Sequence, residues 1–306
     1  MQEILGYIEN WFRQVDKKLL TLCTLQTAVL IYLNYNNQLE ANLIHSEVLP
    51  WPAFTGHYLL FALAFTLPYF FCEIIEKKKF FDSKPFMILL VVAPIIFSLK
   101  MALIARYPFT DNPDWNEYWN QVYYWPIRLA IITAILFLIW RVSDNDEAFY
   151  GITTKKFKWK PYVLMLSCMI PVIAAASTQR DFLAMYPKIK SVLHLDKSIP
   201  ISWFHKLLFE LSYGSDFFGI ELFFRGFLIL AFVKWVGRAA ILPMACFYCT
   251  IHFGKPLGEC ISSYFGGLLL GIVVYNTKSI YGGLIVHLGI AWLMEIGGYI
   301  GNPLSP

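Results

Sequence analysis

A carboxylate and a guanidinium stand four residues apart inside an apolar stretch of membrane length. Glu221 and Arg225 fall in the first third of the segment 217–236, FFGIELFFRGFLILAFVKWV. On a helix this spacing places one side chain above the other, so the two charges can pair and share hydrogen bonds. Burying a charge in a bilayer costs about 3 kcal/mol on insertion scales, so ionisable residues at such a depth predict a functional site.

Two histidines and two further glutamates follow this pair along the chain. His252 ends an apolar run and precedes GKP, where a helix must break, and Glu259 lies beyond it. His287 lies deep in a later apolar run among glycines, and Glu295 follows it by eight residues. The candidate site residues are therefore Glu221, Arg225, His252, His287, Glu259 and Glu295.

Each of these residues also has a purely structural interpretation. Glu221 and Arg225 can form an ion pair that locks two helices together, and a histidine at a helix end is commonly a packing residue. Glu259 and Glu295 can be supporting partners of the site, a general base, or carboxylates at the membrane boundary. Asp216, just before the apolar segment, is a weaker candidate whose alternative role is to cap a helix.

Two histidines with one to three carboxylates in a water-accessible pocket support two kinds of hydrolytic chemistry. They can hold a divalent metal such as zinc, which ionises a bound water, with Glu221, His252 and His287 as ligands. Alternatively, a glutamate activates water directly while the histidines stabilise the oxyanion. Both routes predict hydrolysis of a peptide bond delivered in the membrane, with Arg225 either orienting the carboxylate or balancing anionic charge.

The composition indicates a polytopic membrane protein. Of the 306 residues, 58% are hydrophobic and 15% are charged, and the mean hydropathy is +0.53; soluble domains are roughly 45–50% apolar and 25% charged. The net charge of +4 is small and the basic residues lie in short loops, so nucleic-acid binding has no support. Residues 1–18 are polar, so we expect no cleavable signal peptide.

The six cysteines lie mostly within apolar runs and show no disulfide pattern. We interpret them as apolar packing residues. Cys246 and Cys249 form a CxxC near His252, which leaves metal binding as the alternative, although such pairs normally occupy turns rather than helices.

Nine apolar runs predict an all-α bundle of eight or nine transmembrane helices that encloses a polar cavity. The runs are 19–33, 57–75, 86–105, 123–140, 162–177, 217–236, 239–252, 264–275 and 280–300. Several are shorter than the roughly 20 residues of a straight span, so tilted or re-entrant segments are expected among them. No internal repeat is visible. Residues 1–306 are predicted to form a single transmembrane domain, with N-terminal helices in 1–177 and a motif-bearing core in 216–300.

The basic residues favour an N-terminus on the cytoplasmic side. With this orientation the inner loops carry 15 lysines and arginines and the outer loops carry 7, as the positive-inside rule requires. The candidate site residues then converge on the outer leaflet from four pieces of sequence. Lys100 and Arg128, inside spans, are expected to snorkel to the interface. The outer connection 179–216 contains FHKLLFEL, which predicts a short amphipathic helix that lies on the membrane surface or packs over the site.

Three short motifs resemble those of the CPBP family of intramembrane proteases, which includes CAAX prenyl endopeptidases of the Rce1 type and bacteriocin-processing or immunity proteins. The family pattern is Glu-Glu-x-x-x-Arg, then aromatic-x-x-x-His, then His-x-x-x-Asn. Glu221 and Arg225 match the first motif, Tyr248 and His252 the second, and His287 the third.

The resemblance covers about 216–295 and implies a bundle of about eight transmembrane helices around a polar cavity. It also implies an endopeptidase, in a bacterial plasma membrane, whose substrate is a membrane-associated peptide or protein. A small transporter with proton-relaying groups is a rival hypothesis from another class. A transporter would be expected to show paired broken helices and internal symmetry, which the sequence lacks.

The chain departs from the family pattern at two positions. Ile220 stands where the family has the glutamate that activates water, and Ala291 stands where it has asparagine. In their absence Glu221 would serve as the base, with Glu259 or Glu295 supplying the missing polar group. The alternative is a catalytically inactive pseudoprotease that binds a peptide or confers bacteriocin immunity.

Overall fold

The computed structural model describes residues 2–103, 106–143, 148–155, 157–197 and 201–302, and every regular element in these ranges is helical. The α-helices are α1 (Gln2–Gln14), α2 (Lys17–Asn37), α3 (Leu39–Ile44), α4 (Pro52–Glu76), α5 (Lys84–Ala102), α6 (Pro113–Ser143), α7 (Lys160–Ala176), α8 (Arg180–Met185), α9 (Trp203–Glu221), α10 (Leu228–Leu230), α11 (Val233–Val236), α12 (Ile241–Thr250), α13 (Leu257–Thr277) and α14 (Tyr281–Gly301). Leu222–Phe227 is a π-helical turn, and 3-10 turns lie at Phe149–Gly151, Lys188–Lys197 and Gly237–Ala240. The predicted all-α class is confirmed.

Five of these helices, α4, α5, α6, α13 and α14, are long and apolar enough to cross a membrane. The helix α7 is also apolar but has only 17 residues. By length and composition the chain is therefore a multi-pass membrane protein and a helical bundle. The count of eight or nine spans stays a prediction.

Local sequence signals set several helix ends. The Asp16 carboxylate caps α2 by accepting hydrogen bonds from the backbone N–H groups of Lys18 (2.8 Å) and Leu19 (3.1 Å). The helices α4, α5 and α7 carry a proline in their first turn, where its missing N–H has no helical partner to lose. Because these end turns are polar, the apolar runs predicted the helices but underestimated the lengths of several.

The apolar run 217–236 is not one uninterrupted α-helix. The helix α9 begins at Trp203 and includes the FHKLLFEL segment, which was expected to form a short helix of its own. It ends at Glu221, and the chain continues through the π-helical turn into the short helices α10 and α11. A π-helical turn is wider than an α-helical one and is frequent at functional sites. It here carries Arg225.

The helix α12, which carries the second motif, occupies the centre of the bundle. All ten residues of α12 are buried, and the helix packs against α2, α4 and α13. The Phe247 ring lies among five phenylalanine rings at centroid distances of 4.8 to 6.0 Å. Such edge and tilted contacts add to the area each ring buries. They fix α12 against α4, α5 and the π-helical turn.

The expectation that Lys100 and Arg128 snorkel to the interface is wrong. Lys100 is 6% exposed and Arg128 is 9% exposed. The Lys100 ammonium lies 2.8 Å from Asp216 Oδ1 and joins the last turn of α5 to α9. The Arg128 guanidinium lies 4.1 Å from the centroid of the Tyr124 ring. Asp216 is thus an ion-pair partner inside α9 and does not cap that helix, which begins at Trp203.

Replacing Lys100 by methionine is expected to destabilise the detergent-solubilised protein by about 3 kcal/mol, because the largely buried Asp216 carboxylate loses its counter-ion. Adding Asp216→Leu to Lys100→Met is expected to recover most of that loss, since an apolar pair can replace a buried ion pair at little cost. Thermal unfolding of the wild type, both single variants and the double variant measures the coupling. If the stability lost by the double variant equals the sum of the losses of the two single variants, the ion pair between Lys100 and Asp216 is contradicted.

Candidate active site

Glu221, at the end of α9, contacts two of the other candidate residues. Its Oε1 lies 2.8 Å from His287 Nδ1 and 3.3 Å from Arg225 Nη1. Neither Glu221 nor Arg225 has exposed surface. Because an ionised carboxylate oxygen can only accept, His287 Nδ1 is the donor. The carboxylate therefore holds the imidazole in one tautomer and one orientation.

Tyr248 joins the two histidines, a role that the sequence analysis did not assign to it. Its hydroxyl donates to His287 Nε2 at 3.0 Å, and its backbone carbonyl accepts from His252 Nδ1 at 3.0 Å. The Arg225 guanidinium carbon lies 3.8 Å from the centroid of its ring. The spacing of four between Tyr248 and His252 places both on one helix face, which is the sequence signal that could have revealed the contact.

His252 and His287 form the more accessible edge of this cluster. The His287 side chain is 13% exposed, and His252 is half-buried in the turn after α12. The two rings lie 4.8 Å and 5.8 Å from the Tyr248 ring. Because His252 Nδ1 donates to a carbonyl, its Nε2 faces away from that bond. Nε2 has no hydrogen-bond partner within the described ranges.

Glycine at position 283 allows Glu221 to approach α14. An ideal Cβ at Gly283 would lie 2.3 Å from Glu221 Oε2, which is closer than real contacts allow. On the other side of the imidazole, the Phe217 ring packs edge-on against His287 at 4.8 Å. The small residue and the aromatic ring together set where His287 lies relative to α9.

Glu259 and Glu295 bind a connection that lies outside this cluster. The Tyr186 hydroxyl donates to Glu259 at 3.0 Å, and the Lys255 ammonium lies 3.2 Å from the same carboxylate. Glu295 accepts a hydrogen bond from the backbone N–H of Lys188 at 2.8 Å. Burial, followed by the neighbouring Lys255 ammonium, lowers the pKa of Lys188 to about 8. These contacts anchor the segment between α8 and α9 to α13 and α14.

The structure does not bring Glu295 to the Glu221–His287 pair. Eight residues along α14 separate Glu295 from His287, which corresponds to about 12 Å along the helix axis. Glu259 lies on α13, with Tyr186 and Lys255 as its partners. The cluster therefore contains Glu221, Arg225, His252 and His287, whereas the two later glutamates belong to a separate polar layer.

The residues around Glu221 do not fit a metal ion. Within the described part of the chain, no three His, Cys, Asp or Glu side chains are arranged to hold one. Both ring nitrogens of His287 are engaged, by Glu221 and by Tyr248, and the Arg225 guanidinium already neutralises the carboxylate. The conditional ligand set of Glu221, His252 and His287 therefore does not converge on a metal position in this arrangement.

The two cysteines of the CxxC do not point to a common metal position either. Cys246 Sγ donates to the Cys23 carbonyl at 3.6 Å, while Cys249 Sγ lies 3.8 Å from Cys260 Sγ. All four are fully buried free thiols. These contacts agree with the interpretation of the cysteines as apolar packing residues.

Apolar contacts surround both positions where the chain departs from the family motifs. Ile220 packs partly buried against the main hydrophobic core. Ala291 is 4% exposed and lies with Tyr213 and Phe217. Neither position carries a polar side chain, and both neighbourhoods are dominated by hydrophobic residues.

The comparison with protein families identifies the segment that carries this cluster. Residues 207–293 match the family described as type II CAAX prenyl endopeptidase Rce1-like. The match begins within α9 and ends within α14, so it includes all four clustered residues. No curated protein and no solved structure matches the chain. The resemblance to the CPBP family of intramembrane proteases is confirmed at the level of this segment.

Replacing Gly283 by alanine is expected to push the Glu221 carboxylate off α14 and to destabilise the protein by about 1–3 kcal/mol, the usual range for overpacking. Gly266→Ala is the matched control, because an added Cβ there meets nothing within 4 Å. Thermal unfolding in detergent measures both. Equal stability of the two variants would contradict a tight approach at Gly283.

Proposed function

We propose that this chain, whose segment 207–293 matches the CAAX-type intramembrane proteases, is an endopeptidase that hydrolyses a peptide bond of a membrane-associated substrate. The proposal rests on the buried Glu221–His287–Tyr248 hydrogen-bond chain beside His252. Hydrolases commonly place an oriented imidazole next to a positive charge, and His252 and Arg225 supply this combination.

His252 is the proposed general base. Its Nδ1 donates to the Tyr248 carbonyl, which fixes the ring and leaves Nε2 to accept a proton from the attacking water. The same nitrogen then returns that proton to the leaving amine, as an imidazole does in acyl-transfer enzymes. Glu221 itself has no exposed surface. We therefore assign Glu221 to positioning through His287 and do not make it the base that contacts water.

The oxyanion formed on the substrate carbonyl needs donors and positive charge. The Tyr248 hydroxyl donates its one proton to His287 Nε2 at 3.0 Å, so it positions that ring and is not assigned as a donor to the oxyanion. The Arg225 guanidinium stacks on the Tyr248 ring and contributes a fixed positive charge. Donors that are already oriented in a water-poor site stabilise such charge more strongly than solvent does.

The substrate and its side of the membrane form part of the proposal. The distribution of lysine and arginine supports an N-terminus on the cytoplasmic side, which would turn the site toward the outer leaflet, and the family resemblance suggests a bacterial plasma membrane. A peptide secreted across the membrane fits that orientation better than a prenylated tail made in the cytosol. The cluster lies within the helical bundle, so the substrate would reach it from the lipid.

Ile220 favours a second candidate function. In the family this position holds the glutamate that activates water, whereas here an aliphatic side chain packs against the core. A protein that binds a peptide beside the same histidines without cleaving it would retain the motifs and the fold. That second candidate is a catalytically inactive peptide-binding or immunity protein.

Protein reconstituted in liposomes is expected to cleave a leader-bearing or prenylated peptide, with the products identified by mass spectrometry. His252→Gln is expected to lower kcat/KM by about 100-fold or more, because general bases contribute at least that much. Glu221→Gln is expected to lower kcat mainly, since it acts through the orientation of His287.

The matched control is His57→Gln, which removes another buried imidazole whose Nδ1 contacts a backbone carbonyl, that of Ala53. It is expected to cleave at nearly the wild-type rate. Equal cleavage by wild type, His252→Gln and Glu221→Gln would rule out the assigned roles.

Ile220→Glu separates the two candidate functions. If the wild type is an inactive binder, restoring the glutamate of the family motif is expected to create cleavage of a peptide that the wild type only binds. If the wild type is already a peptidase that uses His252, the same variant is expected to change the rate by less than about tenfold. Peptide binding and cleavage are measured on the same proteoliposomes.

A further inference from the structure

Two buried cations lie on neighbouring helices near the candidate active site, and the proposed reaction does not use them. Lys100 on α5 and Arg128 on α6 are 6% and 9% exposed, and the Lys100 ammonium lies 2.8 Å from Asp216 Oδ1 on α9. The two cations repel each other, and Asp216 attracts both. Among the described residues, Asp216 is the carboxylate within 4.0 Å of Lys100, and none lies within 4.0 Å of the Arg128 guanidinium.

One edge of the Arg128 guanidinium has no partner. Its Nε and Nη2 atoms are buried and make no hydrogen bond within the described ranges. These two N–H groups lie on the same side of the planar group, where they can bind both oxygens of one carboxylate or phosphate. The Tyr124 ring, 4.1 Å from the guanidinium carbon, covers the face of the group and leaves this edge to bind. The position therefore suits an oxyanion in bidentate geometry.

The surroundings of the cluster match the depth of lipid head groups. Lys100 lies in the last turn of α5, and Arg128 follows the run of Tyr123, Tyr124 and Trp125 on α6. Aromatic residues of these types concentrate at the boundary between lipid and water. The helix α6 packs closely on α9 but only loosely on α5. A head group could therefore enter from the lipid between α5 and α6.

We propose that Arg128 and Lys100 bind the phosphate of a phospholipid head group where α5 and α6 pack only loosely on each other. The free edge of Arg128 binds two phosphate oxygens, and Lys100 divides its charge between the phosphate and Asp216. Asp216 directly precedes Phe217, whose ring packs against His287 at 4.8 Å. A bound head group thus stabilises the part of α9 that supports the active-site cluster.

Thermal unfolding of delipidated protein in an uncharged detergent tests the site. Added phosphatidic acid or phosphatidylglycerol is expected to raise the Tm by about 3 °C or more, because a ligand that binds only the folded state stabilises it. Diacylglycerol with the same acyl chains is expected to give no rise. Arg128→Gln is expected to abolish the rise without lowering the Tm of the lipid-free protein, since it removes an unpaired charge. Arg141→Gln, at an exposed arginine in the last turn of α6, is expected to keep the rise.

Four results would overturn the proposal. Diacylglycerol could stabilise the protein as well as the phospholipids do, which would assign the effect to the acyl chains. Inorganic phosphate alone could give the full rise, which would assign the site to a free oxyanion. Arg128→Gln could retain the rise in Tm, which would show that Arg128 does not bind the phosphate. Finally, Arg128→Gln could lower the Tm equally with and without phospholipid, which would leave Arg128 a purely structural role. Unfolding is read without a substrate, so the result is independent of whether the chain cleaves peptides.

Discussion

The hydrogen bond between the Glu221 carboxylate and His287 Nδ1 is the constraint on which the rest of the structure depends. A carboxylate without exposed surface needs partners, and here a histidine from α14 and Arg225 from the π-helical turn provide them. Gly283 allows the helices to come close enough for that contact. Tyr248 then closes the arrangement from α12 by contacting His287 and Arg225 at once. These contacts fix the positions of α9, the π-helical turn, α12 and α14 relative to one another.

The few charges inside this apolar bundle are gathered into separate polar layers. One layer holds Glu221 and its partners, a second joins α5 to α9 through Lys100 and Asp216, and a third ties the connection before α9 to Glu295. Apolar and aromatic side chains such as Phe217 fill the space between them. This separation limits the number of groups that can take part in chemistry at the histidines.

Helical spacing and apolar runs predicted the all-α class, the presence of most long helices and the contact between Glu221 and Arg225, because those features depend on local sequence. The sequence did not predict that α9 begins as early as Trp203, because its first turns are too polar to be recognised as part of an apolar run. The sequence did not predict that Glu295 lies apart from the histidines, because the position of a residue along a helix does not reveal which neighbouring segment its side chain contacts. The contact of Tyr248 with His287 depends on the packing register of α12 against α14, which no spacing within one helix encodes.

The tautomer of His287 is the most direct test of this arrangement. Nitrogen NMR of protein labelled in its histidines, with the signal assigned from a His287→Gln sample, distinguishes a protonated Nδ1 from a protonated Nε2. A neutral ring with its proton on Nδ1, facing Glu221, is the predicted result. A neutral ring with its proton on Nε2 would contradict both the bond to Glu221 and the bond from Tyr248, and with them the proposed site.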